Sequence, residues 1–396
     1  MNTQPGIKAL LEQVDEAAIV HDLSELVSTP SVNPFDDPVS ASCRELEAAN
    51  LYEAMMQRAG METFRRDVAT GRPNIFGRIR GSGEGPCVML AGHLDTVGIS
   101  EYIDPFSPVI KDGKLYGRGS CDMKAGLAAF IEVARIISQN KISLKGDLLI
   151  AGIVDEEHLM IGSRDISEHG PIPEFAIVGE PTELDVHHVH KGQFCMHIKT
   201  HGQACHSSIP EQGINAIQHM AKILQAFENY NEELKSRPAD PICGHASFNP
   251  GVIRGGEIAS SVPDYCELEV DRRVIAGETI EQVIEEYHAR IRPLQNATPN
   301  FKYEIGDPTL VSYPLNTPAN SPLVSIIARN YASLLGRESD LAPFSGSTDA
   351  PNLKCDAVIC GPGSILQAHT LDEYVEINHL TKASSLYLST VLELLT

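Results

Sequence analysis

The sequence predicts an α/β protein in which a largely parallel-sheet domain is interrupted by a smaller inserted α+β domain. Three observations point there. Short apolar runs bounded by turn residues alternate with helical periodicity over the first 180 or so residues. Near residue 190 the pattern changes to two-residue alternation, and after roughly residue 300 the earlier pattern returns. A chain of 396 residues also exceeds what one ordinary core supports, so two domains are expected.

In chain order, helical periodicity covers 7–27 and 41–59, the second ending at Gly60, a natural helix stop. Strands are expected at 74–79, 87–91, 147–154 and 175–178, with an apolar helix over 123–137. Continuous apolar runs of this length suit parallel strands covered on both faces. From 194 to 199, Phe194, Met196 and Ile198 alternate with Cys195, His197 and Lys199, as in a half-exposed antiparallel strand. A helix follows with Ile214, Ile217, Ala221, Leu224 and Phe227 on its apolar face. Strands at 248–254 and 265–274 and a helix at 279–291 complete the inserted domain. A helix at 323–335, a strand at 357–360 and a last helix to the C-terminus return to the first domain. The boundaries are therefore 1–189 with 300–396 for the main domain and 190–299 for the insert.

The formal net charge of -22 excludes non-specific binding to a nucleic-acid backbone, which needs clustered Lys and Arg. No apolar stretch reaches the ~20 residues needed to span a bilayer, and no secretory signal precedes Leu11. Nine cysteines without a CxxC pair read as reduced thiols, so a cytoplasmic location is expected.

The chemistry gathers at strand ends. The strand 87–91 runs into Gly92-His93-Leu94-Asp95, where a ligand site is expected in a parallel sheet. A carboxylate two residues after a metal-bound imidazole can accept its other ring N–H and fix its tautomer. Asp122 stands where the helix 123–137 begins; alone it would read as an N-cap. The strand 147–154 ends in Asp155-Glu156-Glu157, acids whose mutual repulsion bound cations would relieve. Glu180 closes the next strand, and His369 follows the strand 357–360 and the turn Gly361-Pro362-Gly363. Two histidines and several carboxylates at one sheet edge suit zinc, with cobalt or manganese compatible on ligand type.

These motifs, in this order and over nearly the whole chain, resemble the acetylornithine deacetylase and succinyl-diaminopimelate desuccinylase family of co-catalytic metallohydrolases. That family also contains aminoacylases and carboxypeptidases. The resemblance implies two divalent metal ions, with His93, Asp122, Glu157, Glu180 and His369 as ligands. Asp122 would bridge, His93 and Glu180 would hold one ion, and Glu157 and His369 the other. Asp95 would orient His93, and Glu156 would be the general base for a water activated between the ions. The insert would be a lid that also makes a homodimer, and its His206 would reach a catalytic site to stabilise the oxyanion.

Gly361 to Ile365, Ala368-His369 and Asp372-Glu373-Tyr374 resemble the acetylornithine deacetylase branch most. The substrate expected is thus a small N-acyl amino acid, first of all N-acetylornithine, cleaved at its amide bond. Arg273 matches an arginine that holds a substrate carboxylate. Asn249, Ser260 and Thr348 complete the expected substrate contacts, although Ser260 stands where relatives carry asparagine. Succinyl-diaminopimelate desuccinylase, aminoacylase and dipeptidase activities are the alternatives within the same chemistry. A non-catalytic binding homologue is the alternative outside it, but every matching position holds a competent residue.

Overall fold

The computed structural model describes residues 5–35 and 45–396, so the first four residues of the helix expected at 41–59 lie outside the described residues. The chain divides into two compact units. One comprises Met1–His188, Asn316–Phe344 and Thr348–Thr396; the other comprises Val189–Leu315 and Ser345–Ser347.

The first unit is built on a six-stranded sheet in the order Glu62–Ala69, Arg72–Ile79, Leu148–Ile153, Val88–His93, Phe175–Val178, Asp356–Ile359. The last four of these run parallel to one another. Val88–His93 and Leu148–Ile153 are buried at every position, as strands covered on both faces must be. The sheet is mixed rather than wholly parallel, because Arg72–Ile79 lies antiparallel to Leu148–Ile153 and Glu62–Ala69 antiparallel to it in turn. Glu62–Ala69 escapes the sequence pattern since it is an edge strand of mostly polar, partly exposed residues. The periodicity over 7–27 resolves into two helices, Ile7–Leu11 and Glu16–Ser28. Asp15 caps the second by accepting from the Ala17 and Ala18 amides, which starts the helix afresh.

Helix Lys124–Gln139 is buried over most of its length. It packs against the C-terminal helix Ile377–Leu395 and against Glu16–Ser28. Its first turn comes unusually close to the sheet at Gly126, where an added Cβ would lie 2.6 Å from the Gly179 carbonyl oxygen. That approach sets the start of the helix beside the end of strand Phe175–Val178.

The second unit is an antiparallel sheet ordered Ser247–Gly255, Tyr265–Val274, Gly192–His201, Lys302–Ile305, with Leu310–Ser312 also pairing with Gly192–His201. These last two strands carry the unit past residue 299 to Leu315, since both hydrogen-bond to its central strand. Phe194, Met196 and Ile198 turn inward, and Phe227, Tyr230, Phe248 and Tyr287 form an aromatic cluster in the core. Helix Ala216–Ala226 buries Ala216, His219, Met220 and Ile223, a stripe displaced by one residue from the expected face. Ile217 and Ala221 point outward instead, Ile217 being 40% exposed. Among the described residues no helix is long and apolar enough to cross a membrane.

Gly126→Ala is expected to destabilise the first unit by about 1–3 kcal/mol through overpacking against the Gly179 carbonyl. A lower thermal midpoint by circular dichroism checks this; an unchanged midpoint would show that the helix can move away at no cost.

Candidate metal centre

Leu148–Ile153, Val88–His93 and Phe175–Val178 are parallel neighbours, so their C-terminal ends open on one edge of the sheet. His93 is the last residue of its strand, Glu156 and Glu157 follow Leu148–Ile153, and Glu180 lies two residues beyond Phe175–Val178. Asp122 precedes helix Lys124–Gln139 but does not cap it: Met123 is the N-cap and no side chain makes the capping bond. The carboxylate is thereby left free for other work. His369 stands in the loop after Asp356–Ile359, in a left-handed conformation with φ of 65°.

These side chains converge. Nε2 of His93 lies 3.3 Å from Asp122 Oδ1, 3.7 Å from Glu180 Oε1 and 4.0 Å from Glu156 Oε2. Nε2 of His369 lies 3.3 Å from Asp122 Oδ2 and 3.2 Å from Glu157 Oε2. Two groups can each hold a metal ion, His93 with Asp122 and Glu180, and Asp122 with Glu157 and His369. Asp122 belongs to both and offers a different oxygen to each imidazole.

Buried polar groups hold the arrangement from behind. Nδ1 of His93 is 3.0 Å from the main-chain oxygen of Asp95 and 3.6 Å from its Oδ1, so the carbonyl is the nearer acceptor. The Asp95 carboxylate is engaged elsewhere: it accepts from the amides of Glu156 and Glu157 and from Asn33 Nδ2. One acid therefore fixes an imidazole through its backbone and the acidic turn through its side chain. Asp155, first of the three acids, takes no part in either metal group. It accepts from Asn33, Arg72, and the Leu159 and Ile161 amides, closing the turn that aims Glu156 and Glu157. Asn33, Arg72 and the wholly buried Glu373, which binds the loop before Asp122, are absent from the sequence-derived set. Nothing in the local sequence of Asn33 or Arg72 distinguishes them from turn or surface residues, and Glu373 stands in a stretch that signals only a resemblance, not a role.

The other expected residues are placed as follows. Thr348 is buried, and its hydroxyl accepts from the Ala350 amide in a local turn. In the second unit, His206 pairs across a short ribbon with Ser261, and the Ser260 carbonyl accepts from Ser207. Nδ1 of His206 accepts from the Ser208 amide, which leaves Nε2 as the protonated donor of the neutral ring. Asn249 lies directly opposite Asp271, whose Oδ1 is 3.2 Å from Arg273 Nε. Asn249 and Arg273 thus share one face at one end of this sheet. His206 and Ser260 adjoin the other end, beyond Tyr265. Eight strand steps of about 3.3 Å separate Arg273 from Tyr265, about 26 Å.

The electrostatics call for cations. Burial opposes charge on His93, yet Glu180, Asp122 and Glu156 hold its pKa well above the usual imidazole value. Hydrogen bonds to Asp122 and Glu157 push His369 up to about 10. Burial pushes Glu180 up to about 7 against the pull of His93, and burial raises Glu157 as well. Burial works against ionising Asp122, but hydrogen bonds from His369 and His93 keep its pKa well below the ordinary carboxylate range. Glu157 Oε1 and Glu180 Oε1 are buried without a hydrogen-bond partner. Imidazoles, a shared carboxylate and orphaned carboxylate oxygens fit a pair of divalent ions.

Residues 89–393 match the sequence profile of Peptidase family M20/M25/M40. The chain belongs to that family. This M20 hydrolase is 32% identical over 364 residues to the acetylornithine deacetylase of Proteus mirabilis, covering 89% of the chain and 90% of the relative. It is also 32% identical over 371 residues to that of Edwardsiella ictaluri, with coverage of 91% and 94%. Its fold is that of a Staphylococcus aureus tripeptidase (TM-score 0.76, 22% identity, 96% and 99% of the two chains). A dinuclear metal-binding M20 peptidase of Bacillus subtilis shares it as well (TM-score 0.71, 17% identity, 98% and 99%).

Metal binding to this M20 hydrolase should release protons. His369, pushed up to about 10, holds its proton at pH 7 in the metal-free chain, and His93 is shifted in the same direction; each would have to give up its proton to become a ligand. Apparent zinc affinity should therefore rise with pH through the neutral range, and a weakly buffered solution should acidify on loading. An affinity independent of pH would show that these imidazoles do not ligate.

Proposed function

We propose that this M20 hydrolase removes the acyl group from a small N-acyl amino acid by hydrolysing its amide bond, N-acetylornithine being the foremost substrate. The reading rests on one observation above others: two donor groups share Asp122, with the Glu156 carboxylate directly beside them. The curated relatives named acetylornithine deacetylase, aligned over nine-tenths of the chain, support the choice of substrate. In this reading His93 and Glu180 hold one zinc, Glu157 and His369 the other, and Asp122 bridges; cobalt or manganese suits the same donors. Bound ions would polarise the acyl carbonyl and lower the pKa of a nearby water.

The remaining work falls to the chain's own side chains. Glu156 takes the proton of the attacking water and returns it to the departing amine. Burial, reinforced by Glu180 and Glu157 and opposed by His93, raises its pKa well above that of a surface carboxylate, which suits a group that holds the proton between two steps. Asp95 keeps Glu156 in place through its amide and sets the His93 ring through its carbonyl. His206 donates Nε2–H to the oxyanion, and Arg273 and Asn249 receive the substrate carboxylate. Ser260 and Thr348 border the substrate in the same reading. Among the described residues the cysteines are free, which suits work in the reducing cytoplasm.

A homodimer through the second unit belongs to this proposal. Arg273 lies about 26 Å from the end of the sheet that the His206 ribbon adjoins, a span longer than a single small substrate would bridge within one copy. A second copy can supply the missing histidine. Ser247–Gly255 is an edge strand with Ile253 half exposed, and Ile217 on the adjacent helix is exposed too, a surface suited to pairing.

Glu156→Ala should keep both ions but lose at least about 100-fold in turnover of N-acetylornithine, the scale of general-base removal. Assay against N-acetylornithine, succinyl-diaminopimelate, N-acetylmethionine and dipeptides names the branch; full activity in the variant would sink the assignment of Glu156. Mixing inactive Glu156→Ala and His206→Ala chains tests the dimer. If the histidine acts across subunits, statistical exchange should restore about a quarter of wild-type activity. No recovery, with exchange demonstrated, would place His206 in its own subunit's site.

A further inference from the structure

Glu373 lies four residues beyond His369, at the end of the loop that carries it, and its side chain is wholly buried. Its Oε1 accepts from the amides of Cys121, at 2.8 Å, and Asp122, at 3.0 Å. Its Oε2 accepts from the Gly119 amide, at 2.9 Å, and from Arg118 Nη1, at 2.7 Å. The Glu373 carbonyl takes further bonds from the Gly117 amide and from the hydroxyls of Ser120 and Tyr102. Four donors occupy the lone-pair positions of one carboxylate. Three main-chain amides and a guanidinium form a cradle that Gln cannot satisfy, since its NH₂ would face donors.

The cradle joins two different metal-centre segments. On one side is the loop 117–122, which delivers Asp122; on the other is the segment that delivers His369. Between Ser364 and Glu373 that segment makes main-chain bonds to itself, from Gln367, Ala368 and Thr370. His369 is 57% exposed at its side chain and sits in the left-handed region. Its geometry therefore depends on where the segment is pinned, and Glu373 is the pin on its C-terminal side, immediately before the strand Tyr374–Glu376 pairs with Lys114–Tyr116. His93 and Glu180, by contrast, are held at the ends of buried sheet strands.

We propose that Glu373 is a positioning residue that sets the distance between Asp122 and His369, and so governs the affinity of the Asp122–Glu157–His369 group for its ion more than that of the His93–Asp122–Glu180 group. The inference rests on the two-ion reading of the site. It makes the two ions separable: one is held chiefly by the sheet, the other by a loop that this single buried acid locks in place.

Chelator-stripped protein titrated with zinc in a calorimeter provides the test. Wild type should show two binding steps. Glu373→Gln should leave one step nearly unchanged and weaken the other by about 10–100-fold, the usual effect of losing an outer hydrogen-bond partner of a ligand. His369→Ala identifies the weakened step, and in that background Glu373→Gln should add little. Arg118→Met, which keeps the carboxylate but removes one donor, should weaken the same step to a smaller degree. It carries the test if Glu373→Gln does not fold. Wild type taking fewer than two ions would overturn the two-ion reading and this proposal with it. Two steps in wild type, with the ratio of the two constants unchanged in the variants, would overturn the proposal alone. Equal weakening of both steps would likewise reduce Glu373 to general support of the fold and refute the selective role.

Discussion

Carboxylates gathered at the ends of buried strands repel one another, and this protein packs Asp122, Glu156, Glu157 and Glu180 around two imidazoles in a space of a few ångströms. Much of the surrounding structure follows from holding that arrangement together. Burial strips the acids of water, which raises the cost of each negative charge. The imidazoles offset part of it by holding protons, and Asp122 stays ionised because it has one on either side. Divalent ions held by the same groups would put a larger positive charge among these carboxylates. The metal centre and the pattern of raised pKa values are two views of the same electrostatic constraint.

A second layer of acids makes the first possible. Asp95, Asp155 and Glu373 are each buried and each surrounded by donors, several of them main-chain amides. Such amides neither titrate nor move independently of the backbone, so they fix a loop more firmly than a flexible lysine would. Asp95 and Asp155 govern the turn that bears Glu156 and Glu157. Glu373 governs the loop that ends at Asp122. The acids gathered in the two donor groups thus rest on further acids that belong to neither group.

The second unit answers a different problem. In the proposed reaction a metal pair could cleave many amides, so selection among substrates would have to come from contacts elsewhere. Arg273 and Asn249 lie at one end of the antiparallel sheet, and the short ribbon with His206 and Ser260 adjoins the other. In the proposed homodimer that separation would let one second unit serve two sites. It also places the apolar residues Ile217 and Ile253 on the outside, where an isolated domain would be expected to bury them.

The sequence by itself determined the strands that form the sheet's parallel core, the helix after Asp122, and the five residues that meet at the sheet edge. For His93, Glu157 and Glu180 the signal is local, since apolar runs end in or just before them; Asp122 and His369 joined the set through the resemblance to a known family. Tertiary structure alone decided the rest. The edge strand Glu62–Ala69 is too polar to announce itself, and the buried face of helix Ala216–Ala226 is one residue away from the face its hydrophobicity suggests. Asn33, Arg72 and Glu373 acquire their roles from partners 62, 83 and 251 residues away in the chain. No local pattern can encode such partners, because a buried acid clasped by distant amides and an acid exposed to water have the same side chain.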